Sequence, residues 1–141
     1  MTASVLDSWA MVGWLQGKEP ARAQVRELLE QASRGAAKVT ISLINVGEVF
    51  YLIAKRHGAA LAERLLSDLA MMPIQAHLPE RKLILGAARL KSRYAISYAD
   101  AFAVETAREQ NAILVTGDPE LWQLSKREPI DLLWVGKKQA P

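Results

Sequence analysis

Short apolar runs alternate with longer stretches of helical periodicity along this chain, and that alternation limits its fold more than any single motif does. Residues 3–6, 38–41, 73–76, 111–116 and 130–135 read as strands. Between them, apolar side chains recur three and four apart. Val25, Leu28, Leu29 and Ala32 mark a helix over 20–33, and Val46, Val49, Phe50 and Ile53 mark one from Ser42 to about Arg56. Leu61, Leu65, Leu66 and Leu69 mark a third, and Leu83, Ile84, Ala87 and Leu90 one over 79–92. Shorter helices are predicted through Trp14, from 98 to about 109, and from Pro119 to about Lys126. This order predicts an α/β fold, a mostly parallel central sheet of four to five strands with helices on both faces. Ligands of such sheets gather beyond the carboxyl ends of the strands.

With 141 residues, 50% hydrophobic and 23% charged, the chain is expected to form one domain over 1–141, its core at about 4–135 and a polar tail from Gly136. The lack of cysteine excludes disulfides and thiolate metal sites. His57 and His77, far apart in sequence, argue against a histidine-bound zinc, and both are expected at the surface. No apolar run reaches the length of a membrane span, and Asp7 stands where a signal peptide would be apolar. A cytoplasmic location away from membranes is therefore expected.

The most unusual stretch is Ile96-Ser97-Tyr98-Ala99-Asp100-Ala101-Phe102-Ala103-Val104, where Asp100 is the only charge. An ionised carboxylate among apolar neighbours is costly unless something compensates for it. One reading is local, with Ser97 as N-cap and Asp100 three residues on completing a capping box at the positive helix end. Three more acids occupy comparable places. Asp7 ends the first strand, and Asp118 follows the 111–116 strand as an N-cap before Pro119. Glu48 lies opposite the apolar stripe of its helix, yet Ile44 and Leu52, its neighbours four residues away, are apolar. Each has a local explanation as a cap or solvated acid, but the topology carries all four toward one rim.

Four carboxylates at one place repel and raise one another's pKa. A divalent cation removes that penalty, and oxygen-only ligands favour Mg²⁺ or Mn²⁺. One or two such ions activate a water and stabilise the leaving oxygen of a phosphodiester. Thr116 and Ser8 are then hydroxyl partners that orient a carboxylate or water. The net charge is +3; with those four acids set aside, 18 basic residues face 11 acidic ones, a balance of +7. An acidic pocket on a basic body suits a polyanionic substrate.

Leu6-Asp7-Ser8, Asn45-Val46-Gly47-Glu48-Val49, Ser97-Tyr98-Ala99-Asp100-Ala101 and Leu114-Val115-Thr116-Gly117-Asp118 occur in an order and spacing that resemble the PIN-domain family. The likeness is closest to the compact VapC-type toxins of bacterial toxin–antitoxin pairs, and it runs from about Ser4 to Val135. It implies a metal-dependent ribonuclease acting on tRNA or other structured RNA, an antitoxin that blocks the site, and a homodimer. Asp7, Glu48, Asp100 and Asp118 match the family's acidic quartet, and Thr116 its hydroxyl position. The family more often has Asn directly before the helical acid. Here Val46 and Gly47 intervene, and Asn45 is placed as a supporting residue. The role of Glu120 is left open.

Trp134 is expected in the core, whereas Trp9 and Trp14 flank the first acid and suit an antitoxin or dimer groove. Arg81, Lys82, Arg89 and Lys91 form a solvated face that is also able to track phosphates. Two other functions fit an α/β chain: a catalytically silent module that docks RNA or protein, and a receiver-type phosphoacceptor domain. The latter wants an acidic pair after the first strand and a lysine after the last, and Leu6-Asp7-Ser8 with Val135-Gly136-Lys137 matches poorly.

Overall fold

Val5 and Leu6 are adjacent on one strand and both fully buried, which requires cover on both faces of the sheet. The computed structural model describes residues 1–137 and supplies that cover. The strands are β1 (Thr2–Leu6), β2 (Ala37–Ser42), β3 (Gln75–His77), β4 (Ile113–Thr116) and β5 (Leu132–Trp134). The helices are α1 (Ser8–Leu15), α2 (Ala21–Ser33), α3 (Leu43–His57), α4 (Ala59–Leu69), α5 (Arg81–Arg93), α6 (Tyr98–Glu109) and α7 (Pro119–Leu124).

The sheet runs β3-β2-β1-β4-β5, and every pairing is parallel, so the α/β expectation is met with five strands. Val5 and Leu114 pack with α5, α6 and α7 on one face. Leu6 and Val115, one residue further on, pack with the helices α1 to α4 on the other. This period-two split fixes the register, in which Leu6 lies beside both Ile41 and Val115. The chain leaves β1 toward β2 on one side and later returns to β4 on the other. Asp7 and Asp118 thus emerge from neighbouring strands at the point where the winding reverses, the usual ligand position in such sheets.

Several details differ from the sequence expectation. Pro73 has no N–H to donate, and the third strand pairs only from Gln75, opposite Thr40. Residues 111 and 112 close α6 rather than open β4: Asn111 has φ +49°, and the Ala112 amide donates to the Ala107 carbonyl at 2.8 Å. Ile84, Leu61 and Leu66 are 37–41% exposed, because the apolar faces of α5 and α4 are wider than the surface they cover. Trp134 is only half-buried, its ring edge-on to Trp122 at 5.8 Å. Residues 138–141 of the expected polar tail lie outside the described residues. Among the described residues, no helix is long and apolar enough to cross a membrane.

Candidate active site

Asp7 leaves β1 in extended conformation and caps α1, its Oδ1 accepting from the Ala10 amide at 2.7 Å. Its Oδ2 accepts from the Thr116 hydroxyl at the end of β4. Thr116 Oγ1 in turn accepts from the Asp118 amide at 3.0 Å, so one hydroxyl links the first and last expected acids. A side amide braces the opposite flank. Asn45 Nδ2 donates to Ser8 Oγ at 3.0 Å and to the Ala99 carbonyl at 3.2 Å, joining the segment after Asp7 to the one before Asp100.

Asp100 sits in the first turn of α6, with its amide donating to Ser97 Oγ at 3.0 Å. Asp118 caps α7 by accepting from the Glu120 amide at 2.9 Å. Asp100, Asp118 and Glu120 each present a carboxylate oxygen, and the three oxygens lie within 4.8 Å of one another. Asp100 is buried, Asp118 partly buried and Glu120 exposed. Asp7 and Asp118 do cap their helices with their side chains, whereas in α6 the cap is the Ser97 hydroxyl and Asp100 contributes its amide; Asp118 and Asp100 also converge with Glu120.

The expected quartet is therefore arranged unevenly. Asp7 lies behind the trio, fully buried, both oxygens already accepting hydrogen bonds. Glu48 is on the wall of the same cleft but outside the trio, and its Oε2 accepts from Tyr51 Oη at 3.3 Å. Glu120, left open by sequence, occupies the third corner. Its signal, an acid in the first turn after a Pro, is shared with countless ordinary helix starts.

Burial is the largest influence on both inner acids. It pushes the Asp7 carboxyl from 3.8 to about 8, against the hydrogen bonds from Thr116 and Ala10, with the charges of Asp100 and Asp118 adding to the rise. Asp100 rises to about 7, first through burial and then through the charge of Asp118. Among the described residues no arginine or lysine forms an ion pair with these carboxylates.

Cations instead line the cleft around the acids. The cleft, about 520 Å³, is bounded by Lys18, Arg56 and Lys137 together with Trp9, Glu48 and the converging trio. Arg56 follows Glu48 and Leu52 at four-residue steps on α3, placing it about 12 Å along the helix from Glu48. These residues, not the cations of α5, are the basic side chains beside the site.

Residues 4–126 match the PIN domain family. No curated protein sequence matches the chain. Among solved structures, it is similar to DNA-bound VapBC from Salmonella typhimurium at 14% identity and a TM-score of 0.72, covering 94% of this chain and 98% of that one. VapBC2 from Rickettsia felis, bound to a DNA fragment from its promoter, is 17% identical with a TM-score of 0.71, again over 94% and 98%. Mycobacterium tuberculosis VapC20, a sarcin–ricin loop cleaving toxin, is 13% identical with a TM-score of 0.69, over 86% and 94%. These identities speak for the fold alone, but the family match spans most of the chain and includes the acids at both strand ends. The chain belongs to the PIN domain family.

Proposed function

We propose that this chain is a metal-dependent endoribonuclease, the toxin of a type II toxin–antitoxin pair, using Mg²⁺ or Mn²⁺. The observation that carries the reading is the set of converging carboxylates that form no ion pair among the described residues, in a cleft also lined by Lys18, Arg56 and Lys137. The donors are all carboxylate oxygens, with neither histidine nor cysteine among them, which fits a hard divalent ion.

Asp100, Asp118 and Glu120 are assigned to hold the ion. Asp7, buried behind them with both oxygens accepting hydrogen bonds, would add its charge to the site when the ion is bound. Bound there, the ion supplies Lewis-acid chemistry, lowering the pKa of a water and stabilising the leaving oxygen. Glu48, on the wall and outside the trio, accepts the proton of the attacking water. Thr116 holds Asp7 and the Asp118 amide in register, and Asn45 with Ser8 keeps the Asp7 and Asp100 segments together. Lys18, Arg56 and Lys137 attract the phosphates of the RNA, for which tRNA and other structured RNAs are the substrates to test first.

The VapBC neighbours favour an antitoxin partner, and a homodimer belongs to the same reading. Purified protein is expected to cut RNA internally with Mg²⁺ or Mn²⁺, to stop in excess EDTA, and to lose activity in Asp100→Asn while keeping its circular dichroism. Undiminished cleavage in EDTA or in the folded Asp100→Asn variant refutes the mechanism. RNA binding without any cleavage would favour the silent docking module instead.

A further inference from the structure

Trp9 is an aromatic residue of the cleft with no part in the assigned chemistry. It is half-buried on α1, two positions after the innermost acid, and lines the cleft. Its six-membered ring packs so closely on Gly117, the residue before Asp118, that a methyl group there would overlap it. The indole is therefore held by backbone between two of the acidic segments, not hung loosely from the surface. Lys18, in the loop after α1, and Arg56, at the end of α3, line the same cleft, and neither makes an ion pair with a described residue. A fixed aromatic ring sharing a cleft with cations that form no ion pair with a described residue, next to the converging acids, has the composition of a nucleotide subsite. Every base offers a face to stack, and each phosphate offers a charge to neutralise.

We infer that Trp9 is the stacking platform for one base beside the scissile bond, and that Lys18 and Arg56 hold the phosphates flanking that base. The inference rests on the ribonuclease reading and assigns its specificity-determining side of the cleft. A base in a continuous duplex is stacked on its neighbours, so the subsite selects RNA whose base at that position is unstacked.

The test uses a fluorescein-labelled single-stranded RNA of mixed sequence and its blunt duplex, bound to the chain in the Asp100→Asn background so that the RNA stays uncut. The single strand is expected to bind more tightly than the duplex and to quench tryptophan fluorescence. Trp9→Leu should weaken single-strand binding about tenfold and erase the preference. Trp9→Phe should keep binding within about threefold but abolish the quenching, since a stacking ring remains without the indole. Lys18→Ala and Arg56→Ala should each reduce the salt dependence of log K by about 0.7. In the active chain the Trp9→Leu loss should fall mainly on KM.

If Trp9→Leu fails to fold, Trp9→Phe decides: retained quenching overturns the platform, and lost quenching supports it. Cleavage by the parent chain with unchanged KM, quenching and salt slope in all these variants would sink the subsite and leave the nuclease standing. No binding of the single strand sinks the subsite. If RNA is also cut in no metal, the nuclease reading falls separately.

Discussion

Two groups of acids in this molecule are treated in opposite ways. At the carboxyl edge of the sheet, Asp100, Asp118 and Glu120 converge in front of Asp7 with no ion pair to an arginine or lysine among the described residues, and the two inner carboxyls are driven upward to about 8 and about 7. At the other end of α6, Glu128 accepts from Arg108 Nη2 at 2.8 Å and from Tyr94 Oη at 2.7 Å, with Arg93 Nη2 at 3.5 Å. There the Arg108 hydrogen bond, followed by that of Tyr94, holds the Glu128 carboxyl below its usual range. One group is completed by the chain itself and works as a structural tie between α5, α6 and the segment before β5. The other is left incomplete, and folding tolerates its cost. The difference teaches that the lack of compensation, more than acidity itself, separates a site from a brace.

The largest effect should come from removing a charge where none is compensated. Asp100→Asn is expected to lower RNA cleavage at least ~10³-fold, while metal-free stability at pH 8 stays the same or rises. Measuring cleavage and melting temperature on the same preparation checks both halves. A fall in stability as large as the fall in activity would show that Asp100 is a brace after all.

Next in size is a pH effect whose sign differs between the two groups. Between 3.8 and about 8 the folded chain keeps a proton on Asp7 that the unfolded chain has lost. Stability of the metal-free protein should therefore fall as pH rises through that window, with Asp100 acting in the same sense up to about 7. Glu128, with its pKa lowered, contributes in the opposite sense: its share is present above the ordinary carboxylate range and disappears as pH falls below it. Asp7→Asn should flatten the downward slope and gain on the order of 2 kcal/mol at pH 8. Added Mn²⁺ should raise the parent melting temperature most at pH 8 and least at pH 5, where protons compete for the same oxygens. Urea titrations at several pH values measure this, and a stability that climbs between pH 5 and 8 without metal would contradict it.

The brace gives the third contrast. Arg108→Leu leaves Glu128, whose side chain is 17% exposed, with Tyr94 and the more distant Arg93. A loss of about 1 kcal/mol is expected, with activity per folded molecule unchanged. A specific loss of cleavage without a loss of stability would mean that the brace is coupled to the site through α6.

Much of this arrangement was legible in the residues. The β-branched and aliphatic runs ending at Leu6 and Thr116, together with helical periodicity between them, gave the parallel sheet and its edge, because both patterns are local. Asp7, Asp100 and Asp118 stood out since strand ends and helix starts place them without knowledge of distant contacts. Glu120 did not stand out, because its approach to Asp100 depends on the direction in which α7 leaves the Asp118 cap. Glu48 shares the cleft, but only the pitch of α3 against α6 decides how far its carboxylate stands from the others. Ile84 and Leu61 show the same limit: spacing reveals an apolar stripe, and the packing partner determines how much of it is covered.

The smallest expected effect concerns Glu48, which sits between the two regimes. Its carboxylate forms no ion pair among the described residues and stands outside the trio, near enough for its charge to add to the rise of Asp100, and its hydrogen bond comes from Tyr51 Oη at 3.3 Å on the same helix. Tyr51 is 47% exposed, and the Glu48 charge raises its phenol pKa, so the contact is already partly screened by water. Tyr51→Phe keeps the ring and its approach to Lys55 Nζ at 5.4 Å, removing the hydroxyl alone. Stability should change by less than about 0.5 kcal/mol, and cleavage by no more than about threefold. Comparison with Glu48→Gln, expected to lose about 10²-fold through the missing proton acceptor, isolates the charge from its orientation. If Tyr51→Phe costs as much as Glu48→Gln, the acid is held in place by its own helix and its position is what cleavage requires. If Glu48→Gln costs as little as Tyr51→Phe, the proton goes elsewhere, and the uncompensated group shrinks to the acids that meet at the sheet edge.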